Sequence, residues 1–201
     1  WVSGKRWARS HEEFSTISAA VTAGGRLFYI VDQSPNAYIS FNPTWKLVAR
    51  DAHNGLKLWE RDIKKWNDHM RQFRSGPAHL PRRLVAVDDA VYVTLGLGAP
   101  LTKLDPMTGN TLHTYEDTEW CEEIVLYEDV LYLLVGSSET RRFGDGLYEK
   151  GEPRMRMERF LVAIDTKTNE ELWRKDAKGE DYIMPLGVAC SDGRLFYHGI
   201  Q

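Results

Sequence analysis

The stretch Leu47-Val48-Ala49-Arg50-Asp51-Ala52-His53-Asn54-Gly55-Leu56-Lys57-Leu58-Trp59 returns twice more along the chain without a gap. The second copy is Leu101-Thr102-Lys103-Leu104-Asp105-Pro106-Met107-Thr108-Gly109-Asn110-Thr111-Leu112-His113. The third is Leu161-Val162-Ala163-Ile164-Asp165-Thr166-Lys167-Thr168-Asn169-Glu170-Glu171-Leu172-Trp173. Their aspartates fall 54 and then 60 residues apart, a period that marks a repeat architecture. Each copy is two apolar, β-compatible runs around a short break. In the break the aspartate offers its carboxylate to backbone N–H groups two residues on, and Gly55, Gly109 or Asn169 tolerates the left-handed conformation that closes a tight hairpin. Small Ala49 and Ala163 leave room that large Trp59 and Trp173 fill, as expected where one sheet packs on the next. The middle copy carries Lys103 and His113 at these places and has lost both halves of the pairing.

A second unit precedes each copy: Gly25-Arg26-Leu27-Phe28-Tyr29-Ile30, Asp89-Ala90-Val91-Tyr92-Val93-Thr94 and Asp129-Val130-Leu131-Tyr132-Leu133-Leu134. It recurs once more as Gly193-Arg194-Leu195-Phe196-Tyr197-His198. Four short strands per unit, with almost no helical periodicity between them, predict an all-β chain: a β-propeller of four-stranded antiparallel blades. The blades are expected over 15–63, 82–117 and 120–177, with a partial blade from 182 and the end of a preceding one in 1–14. A closed ring at roughly 40 residues per blade needs on the order of 300 residues. The three to four blades are therefore read as part of a single propeller domain in a longer protein. Residues 64–74, where Trp66, Met70 and Phe73 recur at helical spacing, read equally as a short helix or as an irregular connection. The charged insertion 137–159 reads as a solvated hairpin extension with Arg154, Arg156 and Arg159 outward and Met155 and Met157 toward the blade.

Composition narrows the function classes. With 42% hydrophobic and 27% charged residues the chain is globular, and 16 glycines with 8 prolines are ordinary usage. No apolar run approaches the roughly 18–20 residues of a membrane helix. Twenty-six basic against 29 acidic side chains, a formal net charge of −3, give a nucleic-acid backbone nothing to find.

The Ala49, Asp51, Gly55, Trp59 pattern, with its near copy at Ala163, Asp165, Asn169 and Trp173 and the partial one at Asp105 and Gly109, resembles the tryptophan-docking motif of PQQ-like (quinoprotein alcohol dehydrogenase-like) β-propeller repeats. Arg6-Trp7-Ala8-Arg9-Ser10-His11, Gly25–Asp32 and Ser75–Arg83 also look like bacterial PQQ-binding-like repeat proteins of planctomycete-type lineages. The resemblance implies a ring of seven or eight blades and a periplasmic, cell-envelope or extracellular location. It implies several occupations as well. One branch is the quinoprotein dehydrogenases, with a quinone and calcium on the axis; another is the outer-membrane assembly lipoprotein, a non-enzymatic scaffold. Fold alone does not choose between them.

The residues themselves favour the scaffold. The dehydrogenases resemble one another in a vicinal cysteine pair, whereas Cys121 and Cys190 are apart and read as structural thiols on equivalent strands of successive units. None of the six histidines is spaced to share a metal with another, and no GxSxG, HExxH or EF-hand pattern occurs. Gly96-Leu97-Gly98 lacks the third glycine of a phosphate cradle and reads as a turn. A polar site is expected first in the connection that carries Trp66, His69, His79, Arg82 and Arg83, because loops carry function in propellers. No catalytic residue, cofactor or metal is expected from the residues; the expected partner is a protein, or a small-molecule or carbohydrate ligand.

Overall fold

In the computed structural model, residues 17–33, 44–64, 80–96, 98–136, 159–176 and 182–200 are described. The strands are β1 (Ile17–Ala23), β2 (Arg26–Asp32), β3 (Trp45–Asp51), β4 (Lys57–Asp62), β5 (Leu84–Val87), β6 (Ala90–Thr94) and β7 (Leu101–Leu104). They continue as β8 (Thr111–Tyr115), β9 (Cys121–Tyr127), β10 (Val130–Val135), β11 (Phe160–Asp165), β12 (Glu171–Asp176), β13 (Tyr182–Ser191) and β14 (Arg194–Ile200). Three antiparallel sheets of four strands follow chain order, β1 to β4, β5 to β8 and β9 to β12, and a two-stranded sheet joins β13 to β14. A 3₁₀ turn, Leu80–Arg83, leads into β5. These are propeller blades, and the described sheets do not close a ring.

The first strands β1, β5, β9 and β13 touch in succession, so the sheets fan out from that edge. Between sheets one and two lie Phe28, Ile30, Leu47, Ala49 and Trp59 against Leu84, Val91, Val93 and Leu104. Between sheets two and three, Tyr92, Leu101 and Tyr115 meet Ile124, Leu131, Leu133 and Val162. Ala49 lies directly across from Trp59, Lys103 from His113 and Ala163 from Trp173. Antiparallel order sorts the connections by length. One end of every sheet carries tight turns, at 24–25, 52–55, 88–89, 106–109, 128–129, 166–169 and 192–193, and the other carries the long variable connections.

The aspartate turns are built alike. Oδ1 of Asp51 accepts the N–H of His53 and Asn54 at 2.8 and 2.9 Å. Asp105 accepts Met107 and Thr108 at 2.8 and 2.7 Å, and Asp165 accepts Lys167 and Thr168 at 2.7 and 2.9 Å. Gly55, Gly109 and Asn169 close the turns with φ of 77°, 73° and 61°, each donating its N–H to the carbonyl of the opening aspartate.

Candidate functional site

The expected polar connection is described only in part. Trp66, His69 and His79 lie outside the described residues, as does the 65–74 stretch weighed as a helix. Arg82 and Arg83 end the 3₁₀ turn, which packs against β1 and β9 at the loop-bearing end of the inner strands. Arg82 reaches across the start of β9 to pair with the fully buried Glu123, and donates to the carbonyl of Val188 at 2.9 Å. Arg83 is buried. Desolvation pushes its pKa down while Cys121 and Glu122 oppose the shift, and a guanidinium stays charged under such a bias. The neighbouring carboxylate Glu122 accepts Nε of Arg159 at 2.6 Å, and Arg159 also donates to the carbonyl of Ile183 at 3.3 Å.

Arg159 corrects the expectation of an outward-facing side chain, for only 7% of it is exposed. Its position just before β11 aims it at the inner end of β9, where Glu122 would otherwise be buried without a partner, a costly state. The remaining insertion, 137–158, lies outside the described residues.

The two cysteines, read from the sequence as structural thiols on equivalent strands, lie on the inner strands β9 and β13. Both thiols are free, Cys121 buried and Cys190 half-buried. Although they sit on equivalent inner strands, Cys121 opens β9 while Cys190 is next to last in β13, at the other end. Burial pushes the Cys121 thiol up to about 12, which keeps it protonated and unreactive.

The repeat residues meet between the sheets. Trp59 is 8% exposed and donates its indole N–H to the carbonyl of Pro106 at 3.0 Å. Its ring lies so close over Gly109 that a Cβ there would come within 2.6 Å of Trp59 Cδ2. Ala163 is buried, whereas Trp173 across from it is 40% exposed. At the next interface Lys103 Nζ donates to the carbonyl of Thr166 at 2.9 Å and to Oδ1 of Asn169 at 3.3 Å, and the Tyr115 hydroxyl bonds the same Oδ1 at 2.9 Å. Pro106 and Thr166 each follow the turn aspartate. Lys103 therefore addresses the carbonyl that Trp59 addresses one sheet earlier. His113 packs edge-on against Tyr115, 4.6 Å between ring centres.

Sequence reasoning missed a cleft of about 520 Å³ at the loop-bearing end, between sheets two and three. The connection into β9 supplies Asp117, Glu119 and Trp120; sheet three supplies Phe160, Glu171 and Arg174, with Val135 and Gly136 behind. Its residues come from four separated segments. The one local signal is an aromatic side chain closing the acidic run Glu116 to Glu119.

No protein-family model matches the chain. No curated protein matches it. Among solved structures it is similar to a europium-containing methanol dehydrogenase, at 16% identity and a TM-score of 0.50, over 89% of this chain and 27% of that one. It is also similar to Pyrococcus horikoshii acylaminoacyl peptidase, at 13% identity and a TM-score of 0.52, over 89% of this chain and 26% of that one. A quinohemoprotein alcohol dehydrogenase from Comamonas testosteroni aligns at 16% identity and a TM-score of 0.43, over 84% of this chain and 21% of that one. The chain thus spans about a quarter of the length of that methanol dehydrogenase and of that peptidase. A dehydrogenase and a peptidase share this likeness, so it speaks to the fold.

Proposed function

We propose that the chain supplies blades of a β-propeller that acts as a non-catalytic binding surface or scaffold in an exported bacterial protein. The observation that supports this reading is how the charges at the inner, loop-bearing end are used. Glu123 is held by Arg82 and Glu122 by Arg159. Both carboxylates are buried and engaged, and are not offered to a reacting molecule. The shifted groups lean in the same direction. A general acid or base works best with a pKa near the operating pH, yet burial drives Tyr92 and Cys121 to about 12. The turn amides hold Asp51, Asp105 and Asp165 below the ordinary aspartate value. A protein partner or a small neutral ligand would meet the end where the long connections gather. Export to the periplasm or cell envelope follows from the resemblance of the repeat. No helix among the described residues is long and apolar enough to cross a membrane.

The second reading is a quinoprotein dehydrogenase, favoured by the likeness to the methanol dehydrogenase. Glu122 and Glu123, each held by an arginine, do not fit a calcium ion and its quinone. Such a site would be built from other blades. Titrating the full-length protein with PQQ, with and without calcium, and following absorbance and dye-linked oxidation of alcohols and sugars separates the two. The scaffold reading expects no turnover, and saturable quinone binding with turnover overturns it.

A further inference from the structure

We propose that the cleft beside Trp120 is a binding site for a neutral, polyhydroxylated ligand, a sugar; the proposal rests on the reading of the propeller as a binding module. At about 520 Å³ the cleft is of a size that takes small organic ligands. Trp120 and Phe160 add a small apolar edge to a lining that is mostly polar, as a hydroxyl-rich ligand requires. The polar groups are of both kinds. Arg174 is held in place by Glu171 at 2.8 Å and by the carbonyl of Asp117 at 3.0 Å, both through Nη2, and its guanidinium lies 5.9 Å from the Phe160 ring centre. Among the described residues its Nη1 donates to nothing, and the carboxylates of Asp117 and Glu119 have neither an ion pair nor a hydrogen bond.

This set selects the ligand by charge. Three carboxylates against one guanidinium repel an anion, and among the described residues no three acidic side chains converge as a metal ion would require. Hydroxyl groups meet both demands, donating to Asp117 and Glu119 and accepting from Arg174. The wall is also organised in advance. Thr118, buried between the two carboxylates, accepts the N–H of Leu101 at 2.9 Å and donates to the carbonyl of Tyr115 at 2.6 Å, while the Trp120 carbonyl accepts Gly136 N–H at 3.0 Å. A fixed wall loses little freedom when a ligand arrives.

The test is isothermal titration of the full-length protein with glucose and a series of neutral mono- and oligosaccharides, beside inorganic phosphate and tetramethylammonium. The expected result is saturable binding of a neutral sugar, weakened about tenfold in the Asp117→Asn, Glu119→Gln double variant at an unchanged melting temperature. Asparagine tolerates the left-handed φ of 59° at position 117, and Glu119→Gln alone serves if the double variant does not fold. Failure of every neutral sugar to bind, tighter binding of phosphate or tetramethylammonium, or sugar affinity indifferent to the substitutions overturns the proposal. Sugar binding indifferent to the substitutions, without quinone turnover, removes the cleft and leaves the binding-module reading standing. Quinone-dependent turnover together with substitution-sensitive sugar binding removes that reading and keeps the cleft.

Discussion

Replacing Gly109 by alanine should damage the protein more than the same change at Gly25, and the difference measures one contact between blades. Both glycines sit in tight turns with left-handed φ, 73° and 70°. Forcing alanine into that conformation costs about 1–2 kcal/mol at either position, and the loss of chain freedom in the unfolded state is the same for both. What differs is the space. At Gly25 the nearest atom to a new Cβ is His53 Nε2 at 3.5 Å, an ordinary contact. At Gly109 the Cβ would meet Trp59 Cδ2 at 2.6 Å and Cε3 at 2.7 Å, so the buried indole must move off the Pro106 carbonyl. Overpacking of this kind adds about 1–3 kcal/mol. Urea unfolding of the full-length protein, read by fluorescence and circular dichroism with coincident transitions, should show Gly109→Ala the less stable by about that amount. In a Trp59→Ala background, itself destabilised by about 3–5 kcal/mol, the extra penalty should vanish. Equal costs at the two glycines, or a penalty that survives removal of the indole, would refute the reasoning.

Lys103→Met keeps the length of the side chain but leaves the Thr166 carbonyl and Asn169 without their charged donor, and should cost about 1.5–3 kcal/mol by the same assay. A cost below about 0.5 kcal/mol would show that the lysine is merely solvated there. The turn aspartates set an acid limit. Their native pKa values are lowered, chiefly by backbone N–H bonds from Asn54, Thr108 and Thr168, so the stability they confer is fully present above the ordinary aspartate range and drains away as pH falls through the lowered native values. Carboxyl NMR should find Asp51, Asp105 and Asp165 titrating below a reference peptide; ordinary titration would mean that the turn bonds do not persist in solution.

The parts of this fold legible in sequence are those whose physics is local. Asp51 and Gly55, or Asp165 and Asn169, sit within five residues of each other and fix a turn by themselves, and strand alternation then fixes the sheets. Lys103 shows the other case. The loss of alanine and tryptophan in the middle repeat is visible on the page, but its replacement bonds residues 63 and 66 positions away, and no local pattern announces them. Arg159 misled for a related reason: in a run of alternating arginines and methionines it looks solvated, and only the sheet order brings Glu122 beside it. The cleft was illegible because three residues of the connection into β9 meet one or two from each of three separate segments of sheet three.

The unlike chemistry of successive sheet contacts bears on assembly. Repeats alike in shape compete for one another, and chains built of them risk pairing a unit with the wrong neighbour. Here an indole meets a bare glycine at one junction, whereas an ammonium and a phenol meet an amide at the next. Exchanging the partners would drive the indole into the asparagine side chain, or set the ammonium over a glycine with no side-chain oxygen to receive it. Each turn therefore carries an address that only its proper neighbour can read, and the order of the blades is specified by mismatch as much as by attraction.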